Sequence, residues 1–478
     1  MTKAKLAALA AIDAKAALIT QVAESIWEYA ELSLQEYKSA ALYCEVLEKE
    51  GFAVEKGICG IETAFSASYG SGRPIIGILA EYDALSGLSQ SAGASEHCEL
   101  IPGGNGHGCG HNLLGAGALA AALGVKEYLA QHGTEGTVVL YGCPGEEGGA
   151  AKAFMAREGL WYGLDAALTW HPDDCNEVST GSSNACIQVQ YIFHGVASHA
   201  AGAPEKGRSA LDAVELMNVG VQYLREHMGT RERVHYAVTD TGGRSPNVVQ
   251  SKASVLYMVR SNEVKKAIAL QERVDKIAEG AALMTETTCE RKFIDGLAET
   301  IPNHTLEALL HKSFSDLGIP AHTPQELDYA AKLRATYDTA GYTPGTGSSA
   351  DAAYAAQVKA MQTGSAMNDF LLPLYTGDAF SPGSTDVGDV SWQCPAAQLH
   401  VAAWPDGCPG HSWQNVSCAA SPIGHKAALY AGKVLCSAAI DLFDQPELLA
   451  QAREEFKTRT AAGYSCPIPA DAVPTVPD

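Results

Sequence analysis

The stretch "GHGCGHNLLG", Gly106 to Gly115, sets two histidines and a cysteine among glycines. Cys109 and His111 offer a thiolate and an imidazole, both strong donors to borderline-soft cations such as zinc. The adjacent Glu146 and Glu147 of "GCPGEEGG" add hard carboxylate oxygens, which also suit manganese or cobalt. His171 in "TWHP" and His411 in "GHSW" are further candidates. Other chemistries fit less well. The glycines do not supply G-x-G-x-x-G in register, and "GCPGEEGGAAKAF" lacks the G-K-[ST] ending of a phosphate loop while carrying two acids that would repel phosphate. No Cys-x-x-Cys occurs at Cys109, and a structural zinc site more often shows paired cysteines at both ends. A buried inert thiol is the default for most of the other cysteines. Cys109, flanked by His107 and His111, reads better as a metal ligand.

These residues need elements to bring them together, and the pattern supplies them. "RPIIGILAEYDAL", "TVVLYGCPGEEGG" and "DAALTWHP" each read as a buried strand ending in a turn, with helical stretches such as "LLGAGALAAALGVKEYLAQ" between them, an α/β pattern. Glu81 and Asp83 follow the first strand, Glu146 and Glu147 the second, His171 the third, and His411 the apolar run "LHVAAW". Ligands of open α/β sheets bind at that C-terminal edge. The helix start after Cys109 favours its thiolate but mildly opposes a cation, so the anionic donors must outweigh the dipole. The Glu146-Glu147 pair makes sense if one carboxylate is neutralised by metal while its neighbour moves protons.

The rhythm changes after His171. A strand, a helix, two strands, a helix and a last strand give the order βαββαβ of a ferredoxin-like unit. This predicts an inserted domain over 183–299 within a larger domain formed by 1–182 and 300–478. The small-residue-rich stretch from Thr339 to Phe370 reads as a disordered surface insertion or a mobile flap. Lys+Arg at 33 against Asp+Glu at 55 leaves a net charge of -22, which argues against nucleic acid as a partner. No membrane span is expected, and Asp13 and Lys15 interrupt the Ala-rich start before a signal core forms. The 13 cysteines, odd in number and without framework spacing, suit free thiols in a reducing compartment. A cytoplasmic protein is expected.

"GHGCGHN", "GCPGEEGG", "TWHP", "FHGVASHA", "SPNVVQ" and "GHSW", in this order, resemble the M20 metallopeptidases, specifically the aminoacylase-like amidohydrolase branch. "EYDALSGLSQ", "AEGAALMTETT" and "STDVGDVSW" are similar to the narrower group that hydrolyses p-aminobenzoyl-glutamate. The resemblance implies a zinc-peptidase-like catalytic domain with a central mixed sheet flanked by helices, and an inserted domain serving as lid or dimerisation module. It implies two divalent ions per chain, zinc or manganese with cobalt possible, held by Cys109, His111, Glu147, His171 and His411, with Cys109 bridging. Glu146 would be the general base. His199 would stabilise the oxyanion in the site of a partner subunit, in a homodimer or a heterodimer with a homologous chain. Asn247 and Arg260 would hold the substrate's carbonyl and carboxylate. Two positions depart from the wider pattern: Asn112 stands where Asp is common, and so does Glu81. Asn cannot act as an anion behind a ligand, which leaves Asp83 to orient His111 and His107 as an outer neighbour. The implied reaction is hydrolysis of the amide of an N-acyl amino acid, an aroyl-glutamate such as p-aminobenzoyl-glutamate. Two alternatives are another N-acyl amino acid or dipeptide as substrate, and a non-catalytic subunit of a hetero-oligomeric hydrolase.

Overall fold

The computed structural model describes residues 1–133 and 135–475. They fall into two compact units. The first comprises residues 1–182, 301–381 and 390–464. Its seven-stranded sheet contains β1 (Ala53–Lys56), β2 (Phe65–Ser71), β3 (Ile75–Ala80), β4 (Gly136–Gly142), β5 (Ala166–Asp173), β6 (Glu177–Val178) and β13 (Ala396–Ala402), in the spatial order β1-β2-β4-β3-β5-β13-β6. The central pairs β4-β3, β3-β5 and β5-β13 are parallel, and the outer pairs are antiparallel. Ile76, Ile78, Val138, Leu140, Leu168 and Leu399 are wholly buried, as expected of strands covered on both faces. β5 runs through His171, so that residue sits inside the strand and not just beyond it.

The helix His111–His132 is rich in alanine and glycine, and packs against β3, β4, β5 and the helix Pro422–Asp444. Its length and composition would suit a membrane, but its side chains are spent on this core. Asn112 ties its first turn down: Nδ2 donates to the carbonyls of Ala23 (3.2 Å) and Ala419 (3.0 Å). An aspartate there could not donate and would set a carboxylate against two carbonyl oxygens. That gives the unexpected Asn a structural reason.

The Thr339–Phe370 stretch is folded, contrary to the expectation of disorder. It holds the helix Ala352–Met361, whose Tyr354 and Val358 are buried with Cys175 and Leu372, and Thr346 donates its N–H to both Glu177 oxygens at 3.0 and 2.9 Å. The apolar residues are too few to show periodicity, but they meet Cys175 and Leu372 from outside the stretch.

The second unit comprises residues 183–300, 382–389 and 465–475. β7 (Ala185–His194), β9 (Arg233–Asp240), β11 (Lys252–Ser261) and β12 (Thr288–Leu297) form an antiparallel sheet in the order β12-β7-β11-β9. The helices Ala210–Leu224 and Val264–Thr285 pack on it, giving the chain order βαββαβ. A short ribbon pairs β8 (Ser198–His199) with β10 (Val248–Val249). β9 is a sheet edge with Tyr236 and Val238 exposed, and the helix Ala210–Leu224 exposes Leu216, Val219 and Tyr223.

Asn112→Asp is expected to destabilise the chain by about 1–3 kcal/mol or more, the cost of an unsatisfied buried polar group. Urea unfolding of the two proteins, with tryptophan fluorescence as the probe, measures the difference.

Candidate metal centre

The C-terminal ends of β3, β4 and β5 and the loop beyond β13 converge on one cluster. Gly110, between Cys109 and His111, has φ +74, and a Cβ there would lie 3.0 Å from Trp404 and 3.1 Å from Pro172. Only glycine lets the chain turn there so that donors on both sides face inward. His411 also has a positive φ, +52, just before Ser412 caps the helix Trp413–Ala419. That uncommon conformation accompanies the approach of its Nε2 to 3.5 Å from Glu147 Oε1.

The donor atoms of Cys109, His111 and His171 lie within 4.8 Å of one another, and so do those of Cys109, Glu147 and His411. Cys109 belongs to both groups, and its Sγ is 3.3 Å from His171 Nε2. His111 Nδ1 donates to Asp83 Oδ1 at 2.8 Å, and His171 Nδ1 donates to the Pro172 carbonyl at 2.6 Å. Each outer bond fixes a tautomer whose Nε2 points inward as a ligand atom. His111 Nε2 and Glu147 Oε1 are buried with no hydrogen-bond partner. Orphaned donor atoms of sulfur, nitrogen and oxygen type, in two groups sharing a thiol, fit a pair of divalent cations.

The electrostatics agree with that fit. Burial pushes the Cys109 thiol up, with the Glu147 charge adding to it. Burial opposes protonation of His111, but Cys109 and Asp83 outweigh it and hold the ring well above its ordinary value. Asp83 is down to about 2: burial works against its charge, and His111 overcomes it. Burial, then the charges of His111 and His400, bring His171 down to about 4.

Two participants, Lys152 and His400, escape a reading of the sequence for ligands, and Glu81 shows there only as a strand-end acid. Glu81 places Oε2 3.4 Å from His111 Nε2, and its carboxylate groups with His111 and Glu146. Its other oxygen is 2.8 Å from the Nζ of Lys152, and both side chains are buried. A lone lysine in the apolar run "AAKAFMA" is the signal that could have found Lys152. His400 lies opposite His171 in the β5-β13 register, with Nδ1 3.1 Å from Asp173 and 3.2 Å from Glu177. Burial opposes its charge, but those two carboxylates lift it to about 10.

The other sequence candidates are placed as follows. His107 is buried, with Nε2 bonded to the Ile26 carbonyl at 3.0 Å, and burial brings it down to about 4. In the second unit, His199 Nδ1 accepts the N–H groups of Ala201 (3.2 Å) and Gly202 (3.0 Å), which leaves the proton on an exposed Nε2. Asn247 is exposed and its carbonyl accepts the Ala200 N–H at 3.0 Å, so it neighbours His199. Arg260 Nη1 donates to Ser384 Oγ at 2.9 Å.

Residues 77–379 match the model of peptidase family M20/M25/M40, and the chain belongs to that family as a metallo-amidohydrolase. Among curated relatives, a subunit of the p-aminobenzoyl-glutamate hydrolase of Escherichia coli (strain K12) is 43% identical over 472 residues, covering 97% of each chain. The Xaa-Arg dipeptidase of Homo sapiens is 27% identical, covering 95% of this chain and 92% of its own. Among solved structures, an aminobenzoyl-glutamate utilization protein from Klebsiella pneumoniae aligns with a TM-score of 0.57 at 16% identity, over 89% of this chain and 96% of its own. A dinuclear metal-binding peptidase of the M20 family from Bacillus subtilis aligns at 0.54 and 17% identity, over 91% and 99%. These two share the fold.

Metal affinity is expected to rise with pH. Protons on His111 and Cys109 compete with a cation for the same atoms, so raising pH removes the competitor. Titration calorimetry of the chelated protein with zinc or manganese at pH 6 and pH 8 should give about two ions per chain, bound more weakly at pH 6.

Proposed function

We propose that this chain hydrolyses p-aminobenzoyl-glutamate to p-aminobenzoate and glutamate at a two-metal site. The observation that carries the reading is the pair of donor groups sharing Cys109, with Glu146 beside them. The choice of substrate is supported by the 43% identity, over nearly the whole chain, to the Escherichia coli hydrolase chain. Cys109, His111 and His171 would hold one divalent ion and Cys109, Glu147 and His411 the other, zinc or manganese suiting this donor set best. Bound there, the ions would supply Lewis-acid chemistry that acidifies water and polarises the amide carbonyl. Glu146 takes the proton from the attacking water and hands it to the leaving amine nitrogen. Asp83 keeps His111 in its ligand tautomer. Arg260 and Asn247 orient the glutamate carboxylate and the scissile carbonyl.

His199 acts across a dimer, donating from Nε2 to the oxyanion in the site of the partner. The exposed apolar residues on the β9 edge and the neighbouring helix support dimerisation, since an unpaired strand edge with apolar side chains is a pairing surface. Free thiols such as Cys44, Cys175, Cys186, Cys394 and Cys436 support a cytoplasmic location. The likeness to the human Xaa-Arg dipeptidase favours a second reading, a dipeptide or another N-acyl amino acid as substrate. A non-catalytic subunit is disfavoured, because such a chain has no use for Glu146 beside the ligands.

Purified chain, chelated and reloaded with manganese or zinc, should cleave p-aminobenzoyl-glutamate, and Glu146→Ala should lower kcat by about 10²–10⁴-fold without loss of metal. Full activity in Glu146→Ala would sink the mechanism. Sedimentation should find a dimer, and Val238→Lys should shift it toward monomer with a fall in kcat that restored dimerisation at high protein concentration reverses.

A further inference from the structure

The loop carrying Glu146 and Glu147 rests on a hook from the start of the chain, Ser33 to Glu36. Glu36 is fully buried. Its Oε1 accepts the N–H of Gly145 at 2.8 Å and of Leu34 at 2.9 Å, and its Oε2 accepts the Thr63 hydroxyl at 3.0 Å. Leu34 takes the left-handed conformation, φ +63, which is costly for a residue with a branched side chain. Its side chain fills the space beside two loop glycines: a Cβ would stand 3.0 Å from it at Gly145 and 2.9 Å at Gly149. The Ser33 hydroxyl donates at 2.8 Å to Asp83 Oδ2, the same oxygen that accepts the Glu147 N–H at 2.9 Å.

The main chain is thus held on both sides of Glu146, by Glu36 at residue 145 and by Asp83 at residue 147. Asp83 is also needed by His111. The Glu36 side chain bonds to the loop, to its own hook and to the Thr63 hydroxyl. Burying a carboxyl group costs its hydration, and this one is placed so that one oxygen ties the Gly145 N–H to the hook. We infer that Glu36 is a positioning residue for Glu146: by accepting the Gly145 N–H it fixes the peptide before the proton-carrying carboxylate, and so where that carboxylate stands. This rests on the reading of Glu146 as the group that moves protons.

The test compares Glu36→Asp, Glu36→Gln, Glu146→Ala and the double variant Glu36→Asp/Glu146→Ala, all metal-loaded, on p-aminobenzoyl-glutamate. Aspartate keeps the carboxyl group but falls one methylene short of Gly145. Glutamine keeps the reach: its oxygen accepts both N–H groups, and its amide donates to Thr63, whose hydroxyl can accept. Glu36→Asp is expected to lower kcat by about 10²-fold, the scale of a displacement of roughly 1 Å, with KM and bound metal unchanged. Glu36→Gln should restore kcat to near wild type. In the Glu146→Ala background, Glu36→Asp should cost nothing further, because the two act as one unit. The inference is overturned if Glu36→Asp keeps wild-type kcat, if its effect is undiminished in the Glu146→Ala background, or if it changes only melting temperature or metal content. Failure of the underlying reading shows separately, as an active Glu146→Ala.

Discussion

The centre depends on anionic and soft donors gathered in a buried place. Glu81, Asp83, Cys109 and Glu147 all approach His111 within a few ångströms, behind a sheet whose strands are covered on both faces. Removing such groups from water costs several kcal/mol per ion unless each charge is answered. The chain answers some of them itself: Lys152 pairs with Glu81, and His400 with Asp173 and Glu177. His111 Nε2 and Glu147 Oε1 are left without a hydrogen-bond partner, as the proposed cations would require. Lys152 and His400 answer charges at the margin of the cluster while those two atoms at its centre stay unanswered, which is where the proposed metal would sit.

A second layer of bonds gives the donors their direction. An imidazole can present either nitrogen, and a loop carboxylate can sweep several ångströms. Here Asp83 and the Pro172 carbonyl each fix a ring, and Asp83 also holds the Glu147 main chain. One carboxylate thereby ties a candidate ligand after β3 to a candidate ligand after β4. Asn112, which stands in line with the candidate ligands in sequence, turns instead to the carbonyls of Ala23 and Ala419 and belongs to the scaffold.

Much of this was legible in the sequence because the strand-then-donor pattern repeats. Buried parallel strands read as continuous apolar runs, and the first polar residues after them fall at the sheet edge. The βαββαβ order was equally clear from its change of period. Glu81's partnership with Lys152 was hidden, since periodicity shows that a lysine lies in an apolar run but not what meets it. His400 looked like one polar position in an alternating strand, and its role arises from cross-strand register. The packing of the 339–370 stretch was missed because its few apolar side chains find their partners, Cys175 and Leu372, outside the stretch.

The sheet order also bears on how this enzyme comes to exist during synthesis. β13 sits between β5 and β6, yet it is made more than two hundred residues after both. A nascent chain that has not reached Ala396 therefore exposes β5 as a bare parallel edge, with Cys109, His111, Glu147 and His171 already made and His411 still absent. Non-local pairing of this kind is slow and leaves open edges vulnerable to association with other chains. The interval between β6 and β13 is a window in which the strand that will cover the β5 edge does not yet exist.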